Sequence, residues 1–447
     1  MCGKLIRNKT WEEMHMDMKR AAGDFLRDSG MVCETPAETL CEHFREEMTR
    51  GLRREPSTLM MLPSYLILGD GLPADGRAAA LDMGGTNLRS ALVTVERGKA
   101  RVELDITDHT PGSVTPVTRA EMLEALSRRL DALPAGVPLG FCFSFPAEIT
   151  PELDGRVLLF DKEVRVTGGA GMLLGHELSR YMADTGRTPP AACAVVNDTA
   201  AALLSGVLTE NPAEYDGIVG FILGTGLNIC YPEQTERITG ISAPAGRRMI
   251  VNLEAGGCGI FPRGEFDLAL DAASEEPGRN PLEKMTSGAY LGRLMELTLK
   301  GAARAGLLSP DCAAAVQSLG ELHLRDAGAL LDGQDDGLLR RLRAGAEDAE
   351  AIETILGGLT ARAAGYIAAA LTAVMVTGDM GRSPERPAAV MTEGSTILRF
   401  ARYNRELQRE LRALCTGVYG RYWRLTSGPD ANLRGAAAAV LMQQMCN

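Results

Sequence analysis

The chain has 447 residues, 47 basic against 58 acidic, giving a formal charge of −11. Hydrophobic residues make up 45% and charged residues 23%, the balance of a globular chain whose core is large enough to need no staples. The acidic excess argues against a nucleic-acid or anionic-membrane partner, since both select basic patches. Gly and Pro are too dispersed for a collagen-like or low-complexity chain.

Residues 1–7 carry no apolar segment of a secretory signal, which predicts a cytoplasmic protein. Ten Cys are spread without a C-x-x-C pair, so they read as reduced, small buried hydrophobes with no zinc site. The five His are scattered, which leaves acid–base chemistry to carboxylates. Residues 11–53 read as helical, with Thr35-Pro36-Ala37-Glu38 as a start: a Thr cap, Pro in the first turn and Glu three residues on. Pro63 and Asp70-Gly71-Leu72-Pro73 mark loops. Residues 78–82, a glycine turn and residues 88–95 read as strand–turn–strand, with 101–107 a third strand. Residues 119–133 read as a helix. Residues 138–145 and 191–197 read as buried strands, with 199–208 a helix after the second. Residues 218–223, Gly224-Thr225-Gly226 and 227–231 repeat the earlier hairpin and predict a duplicated fold. Helices are expected at 282–307, 337–347, 349–376, 402–414 and 432–444, and a short strand at 389–392. The apolar run 363–377 falls short of the roughly 18–20 residues that span a bilayer and reads as a core helix.

The chain contains no G-x-x-x-x-G-K-[ST] loop and no G-x-G-x-x-G opening a helix, so P-loop and dinucleotide sites are disfavoured. What it has is Gly84-Gly85-Thr86-Asn87 and Gly224-Thr225-Gly226, each in a predicted tight turn. Such turns are either ordinary hairpins or phosphate cradles, in which glycine lets the backbone approach phosphate oxygens. Asp82 beside the first turn fits a Mg²⁺ held through water. Asn197-Asp198-Thr199 is either a helix cap or a carboxylate at a strand's C-terminal end, where open α/β sheets place their sites. Ser144, Lys162, Asn228, Asn252, Glu254 and Glu283 read singly as surface or capping polarity. Together they read as donors and acceptors for a polyhydroxylated ligand.

The order of these segments resembles the hexokinase family of ATP-dependent sugar kinases. The resemblance rests on 81–89 (LDMGGTNLR), 143–146 (FSFP), Asn197-Asp198-Thr199, Gly224 to Asn228, Asn252-Leu253-Glu254, 283–288 (EKMTSG) and Gly394-Ser395. Upstream, 44–48 (FREEM) and 61–65 (MLPSY) are similar to the family's N-terminal helix and the segment after it. The resemblance implies a two-lobed α/β architecture of the actin-like (ribonuclease H-like) ATPase fold. Each lobe would be a mixed sheet flanked by helices, with a cleft between lobes. It implies a large domain of residues 1–76 and 203–433 and a small one of 77–202 plus 434–447.

By the same resemblance, Asp198 is the general base on the 6-hydroxyl of a hexose, glucose foremost, and Lys162 lies beside the transferred phosphoryl. Ser144, Phe145, Pro146, Asp161, Asn197, Asn228, Asn252, Glu254, Asn280 and Glu283 surround the sugar. Gly84, Gly85, Thr86, Asn87, Gly224, Thr225, Gly226, Gly394 and Ser395 serve the nucleotide, and Arg89 supports the first hairpin, with a phosphate contact as its second role. Asp82 positions Mg²⁺ through water. ATP and Mg²⁺ are the implied cofactors and hexose the partner, on a monomer or homodimer. Asp161, Ala147-Glu148, Ala255-Gly256-Gly257 and Asn280 depart from the family pattern on the sugar side. A non-catalytic sugar-binding regulator on the same fold is the alternative, against which the retained phosphate turns stand.

Overall fold

The computed structural model describes residues 11–69, 75–160, 164–334 and 336–446. One sheet has five strands, in the order Cys193–Val196, Leu139–Phe143, Gly76–Met83, Asn87–Glu96 and Lys99–His109. The other has six: Leu62–Leu68, Arg248–Asn252, Leu227–Gln234, Ile218–Leu223, Ala388–Glu393 and Trp423–Thr426. One plan is used twice. In each sheet a strand turns antiparallel into its hairpin partner and that partner pairs antiparallel with a third. Two later strands then add in parallel on the other side. This is the duplication that the two glycine hairpins predict.

A helix follows the last strand of each plan, Asp198–Thr209 and Ala431–Cys446, and the two helices pack against each other. Their contact faces are small: Ala200, Ala201, Ala202 and Ala436 through Ala439 are all buried. Gly435 lies so close to the Ala201 carbonyl that an added Cβ would sit 1.8 Å from its oxygen. On the adjacent face, a Cβ on Gly140 would sit 1.9 Å from the Ala436 oxygen. The terminal helix therefore lies directly on the strand Leu139–Phe143, and its first turn is carried to the ends of the strands.

Several expected elements differ. The helical reading of 11–53 resolves into Trp11–Asp28 and Ala37–Leu52, parted where Gly30 adopts φ +68°. Thr35 is not the cap; Pro36 holds that position and makes no side-chain cap bond. Pro63 lies inside a strand rather than a loop. That strand, Leu62–Leu68, is the edge of the six-stranded sheet, where a residue without an N–H costs no ladder bond, and its register shifts between Pro63 and Ile67. The loop expected at Asp70-Gly71-Leu72-Pro73 lies outside the described residues. The helix expected at 282–307 breaks at Ser287 into Pro281–Thr286 and Gly288–Arg304. There the Gly288 N–H leaves the helix ladder to bond the Gly224 carbonyl at 2.8 Å. The apolar run 363–377 belongs to a 32-residue helix, Ala346–Thr377, which is long and apolar enough to cross a membrane by length and composition. Of its most apolar window, 83% is buried inside the protein. Arg362 in its middle makes a buried two-pronged pair with Asp267, both bonds 2.7 Å.

Candidate active site

Five segments leave the C-terminal ends of strands on one side of the molecule, where open α/β sheets place their sites. They are Gly84 after Met83, Ser144 after Phe143, Asn197 after Val196, Gly224 after Leu223 and Gly394 after Glu393. Together they wall a cavity of about 530 Å³. Gly84, Gly85 and Thr86 face it from the five-stranded lobe, and Gly224, Thr225, Gly226, Gly394 and Ser395 from the six-stranded one. Ser144, Phe145, Pro146, Asn197, Asp198, Asn228, Glu254 and Glu283 complete the predicted residues in its wall.

Asp198 is the first residue of the helix Asp198–Thr209, so its charge also faces the positive end of the helix dipole. Its Oδ1 accepts from the Thr199 N–H at 2.7 Å and the Thr199 hydroxyl at 3.1 Å. Burial raises its pKa, opposed by these bonds and by Ser144 and Asn197. Asn197 caps the same helix, its Oδ1 accepting from the Thr199 N–H at 2.9 Å. Both alternatives left open for this segment are therefore realised in adjacent residues: Asn197 caps, and Asp198 faces the cavity.

Glu254 sits in the left-handed region, φ 54°, which turns it back toward Asn252 and Asn228. Their amides donate to its Oε1 at 2.7 and 3.3 Å. Burial pushes its carboxyl up to about 6, and the nearby charges of Asp198 and Glu283 add to the rise. Asn252 is buried behind Glu254 and orients it from outside the cavity wall. Glu283 touches both halves of the site: it lines the cavity while its Oε2 accepts from the Leu227 N–H at 3.0 Å, at the second glycine turn. That turn is further held by the Thr396 hydroxyl on the Gly224 carbonyl, 2.8 Å. Gly394, at φ +108°, has no room for a side chain: a Cβ would sit 2.4 Å from the Leu223 carbonyl carbon.

Asp82 lies behind the first turn. The Asn432 amide donates to both its oxygens, at 3.2 and 3.3 Å. Burial pushes its pKa up to about 6, opposed by hydrogen bonds from Cys142 and Asn432. Glu393, in the cavity wall, is pushed to about 7 by burial and by the charges of Asp430 and Asp82. One oxygen of Glu393 is buried with no hydrogen-bond partner. Carboxylate and amide oxygens of this kind suit a hard divalent cation such as Mg²⁺.

Some predicted residues fall elsewhere. Arg89 does not line the cavity: its guanidinium pairs with Asp105 and, at 2.6 Å, with Asp430. It staples the hairpin to the segment before the terminal helix, which is the supporting role expected of it, and its guanidinium points to these carboxylates and not into the cavity. Asn87 is exposed beside the turn and closes it by accepting from the Gly84 N–H at 3.1 Å. Asn280 begins the helix Pro281–Thr286 in the left-handed region, away from the cavity wall. Lys162 and Asp161 lie outside the described residues.

Residues that no local motif marked also enter. Asn432 is the equivalent, in the second copy of the plan, of the Asn197–Asp198 helix start. Glu393 ends the strand that leads into the expected nucleotide residues Gly394 and Ser395. Ala289 and Tyr290 line the wall from the helix that Ser287 begins. A second cavity of about 460 Å³ adjoins the first, sharing Thr225, Ala289 and Ser395, with Leu324, Gly328, Ala329, Arg399 and Phe400 around it.

Two sheets of one topology with a polar cavity between paired glycine turns define the actin-like ATPase fold. Models of the hexokinase family match residues 28–208 and 218–442, and the chain belongs to that family. Human hexokinase-2 is 28% identical over 456 residues, covering 95% of this chain and 48% of that protein. Mouse hexokinase-1 is 29% identical over 438 residues, covering 90% and 43%. The chain thus spans about half the length of the curated relatives it matches. The fold is also that of a Schistosoma mansoni hexokinase solved in complex with glucose, with TM-score 0.77, 23% identity, 96% of this chain and 99% of that one.

Proposed function

We propose that this chain transfers the γ-phosphoryl group of ATP to the 6-hydroxyl of a hexose, glucose foremost, with Asp198 as the general base. The observation that carries the reading is one cavity in which a buried, hydrogen-bonded carboxylate faces two glycine turns from opposite lobes. Ser144, Asn228, Glu254 and Glu283 supply the alternating donors and acceptors that sugar hydroxyls require. The turns at Gly84 and Gly224 approach the phosphates, and the adjoining 460 Å³ cavity takes the nucleoside.

Phosphoryl transfer through a loose transition state needs positioning and charge neutralisation more than covalent work. A Mg²⁺ held near Asp82, with Asn432 and Glu393 beside it, would neutralise phosphate charge when bound. Asp198 takes the hydroxyl proton as transfer proceeds, so a modestly raised pKa suffices. Closure of the lobes about hinges near residues 75 and 205 would exclude water and favour transfer over hydrolysis.

A coupled ADP-formation assay over a hexose panel tests this. Hexose-dependent turnover is the expected result; tight sugar binding by calorimetry with no turnover would favour the regulator reading. The same assay gives the pH dependence. Glu254 and Asp82 act as carboxylates and protonate as pH falls through about 6. The kcat/KM should therefore fall on the acid side near that pH, about two units above an ordinary carboxylate limb. A profile flat to about pH 5 would contradict the assignment.

A further inference from the structure

The first glycine turn is held from outside its own hairpin. Thr110, just beyond the strand Lys99–His109, is only 2% exposed. Its hydroxyl donates to the Gly84 carbonyl at 2.6 Å and its N–H to the Thr86 carbonyl at 3.0 Å. Both bonds end on residues that wall the cavity. The Thr110 carbonyl in turn accepts from the Ser113 N–H at 3.0 Å and the Ser113 hydroxyl at 2.7 Å.

From there residues 110–118 run as a strap along the small lobe. The Gly112 carbonyl accepts from the Arg165 N–H at 3.1 Å, and the Val117 N–H donates to the Arg165 carbonyl at 3.0 Å. Val117–Thr118 then pairs in parallel with Val166–Thr167. Gly112 adopts φ +93°, and a Cβ there would meet the Arg165 oxygen at 2.8 Å, so the contact is too close for a side chain. The strap ends at Thr118, whose side chain caps the helix Arg119–Leu130 in a capping box with Glu121. It is thus anchored at a helix start and along residues 165–167, and its other end, leaving the strand Lys99–His109, grips the turn.

We propose that Thr110 is a positioning residue for the nucleotide: its hydroxyl and N–H fix the Gly84–Thr86 turn in the shape that meets phosphate. Glycine gives that turn its close approach and also its freedom to move. A turn that must present backbone N–H groups to a phosphate gains affinity by being held in advance. The proposal rests on the kinase reading for the identity of its ligand.

The test compares Thr110→Val, which keeps the volume and removes the hydroxyl, with Thr110→Ser, which restores it. Loss of the bond to the Gly84 carbonyl should raise the KM for MgATP about tenfold in Thr110→Val. The hexose KM should stay within about twofold, and Thr110→Ser should return the MgATP value toward wild type. An unchanged MgATP KM in Thr110→Val would overturn the proposal. So would a parallel rise in both KM values with a lowered melting temperature, the mark of a purely structural role. Calorimetric affinity for MgATP reads the same turn without turnover. A wild-type protein that binds MgATP about tenfold tighter than Thr110→Val but transfers nothing would sink the kinase reading and uphold this one.

Discussion

Asp198→Asn should lower kcat by about 10²- to 10⁴-fold while leaving hexose affinity within a few-fold of wild type. The substitution is close to isosteric. The Thr199 N–H and hydroxyl that hold Oδ1 can still meet an amide oxygen, so the helix start and the Asn197 cap survive. What is lost is the capacity to take a proton from the acceptor hydroxyl. The comparison separates base from scaffold, because a residue that merely shaped the sugar pocket would raise KM and spare kcat. Single-turnover rates beside calorimetric hexose binding check it. A variant with undiminished kcat would move the base elsewhere, and the acidic candidates left in the wall among the described residues are Glu254, Glu283 and Glu393.

The second large effect concerns stability. Gly140→Ala and Gly435→Ala should each cost about 3 kcal/mol or more, because both place a methyl group against backbone that has nowhere to go. The Cβ of residue 140 would lie 1.9 Å from the Ala436 oxygen and that of residue 435 1.8 Å from the Ala201 oxygen. Either change must push the terminal helix off the strand Leu139–Phe143 or off the helix Asp198–Thr209. That displacement reaches the site, since Asn432 in the first turn of the helix holds Asp82. Gly365→Ala is the control: nothing lies within 4 Å of its added Cβ. It exchanges a glycine for the best helix former and should be neutral or stabilising by up to about 1 kcal/mol. Denaturant midpoints for the three variants decide the matter. Equal midpoints in all three would mean that the close helix contact carries no strain.

Much of the site was legible because the chemistry lies in short motifs at strand ends. Asp82 with its glycine turn, Asn197-Asp198, and Asn252 with Glu254 each occupy a few consecutive residues, ambiguous one by one, whose order along the chain carried the family resemblance. The duplicated plan was visible for the same reason: two strand–glycine–strand units recur about 140 residues apart, and each proved to open a sheet of the same topology. What stayed hidden depends on contacts between distant residues. Asn432 meets Asp82 across 350 positions, and nothing local to Asn432 distinguishes it from any residue at a helix start. Thr110 looks like an ordinary loop threonine until its hydroxyl is seen on the Gly84 carbonyl. Arg89 shows the converse. Its place beside the first turn marked it as a support of that hairpin, but its partners Asp105 and Asp430 are distant in sequence, and only the fold brings Asp430 within reach. Pro63 signals a break by residue type, whereas an edge strand tolerates it.

The most direct test of the central claim follows the phosphoryl group itself. Wild-type protein would be incubated with Mg²⁺, γ-labelled ATP and glucose, and the label traced in the products. Label should appear on the sugar's 6-oxygen in step with ADP, and Asp198→Asn should suppress both together. Label released only as inorganic phosphate, or ADP formed equally well without sugar, would contradict it.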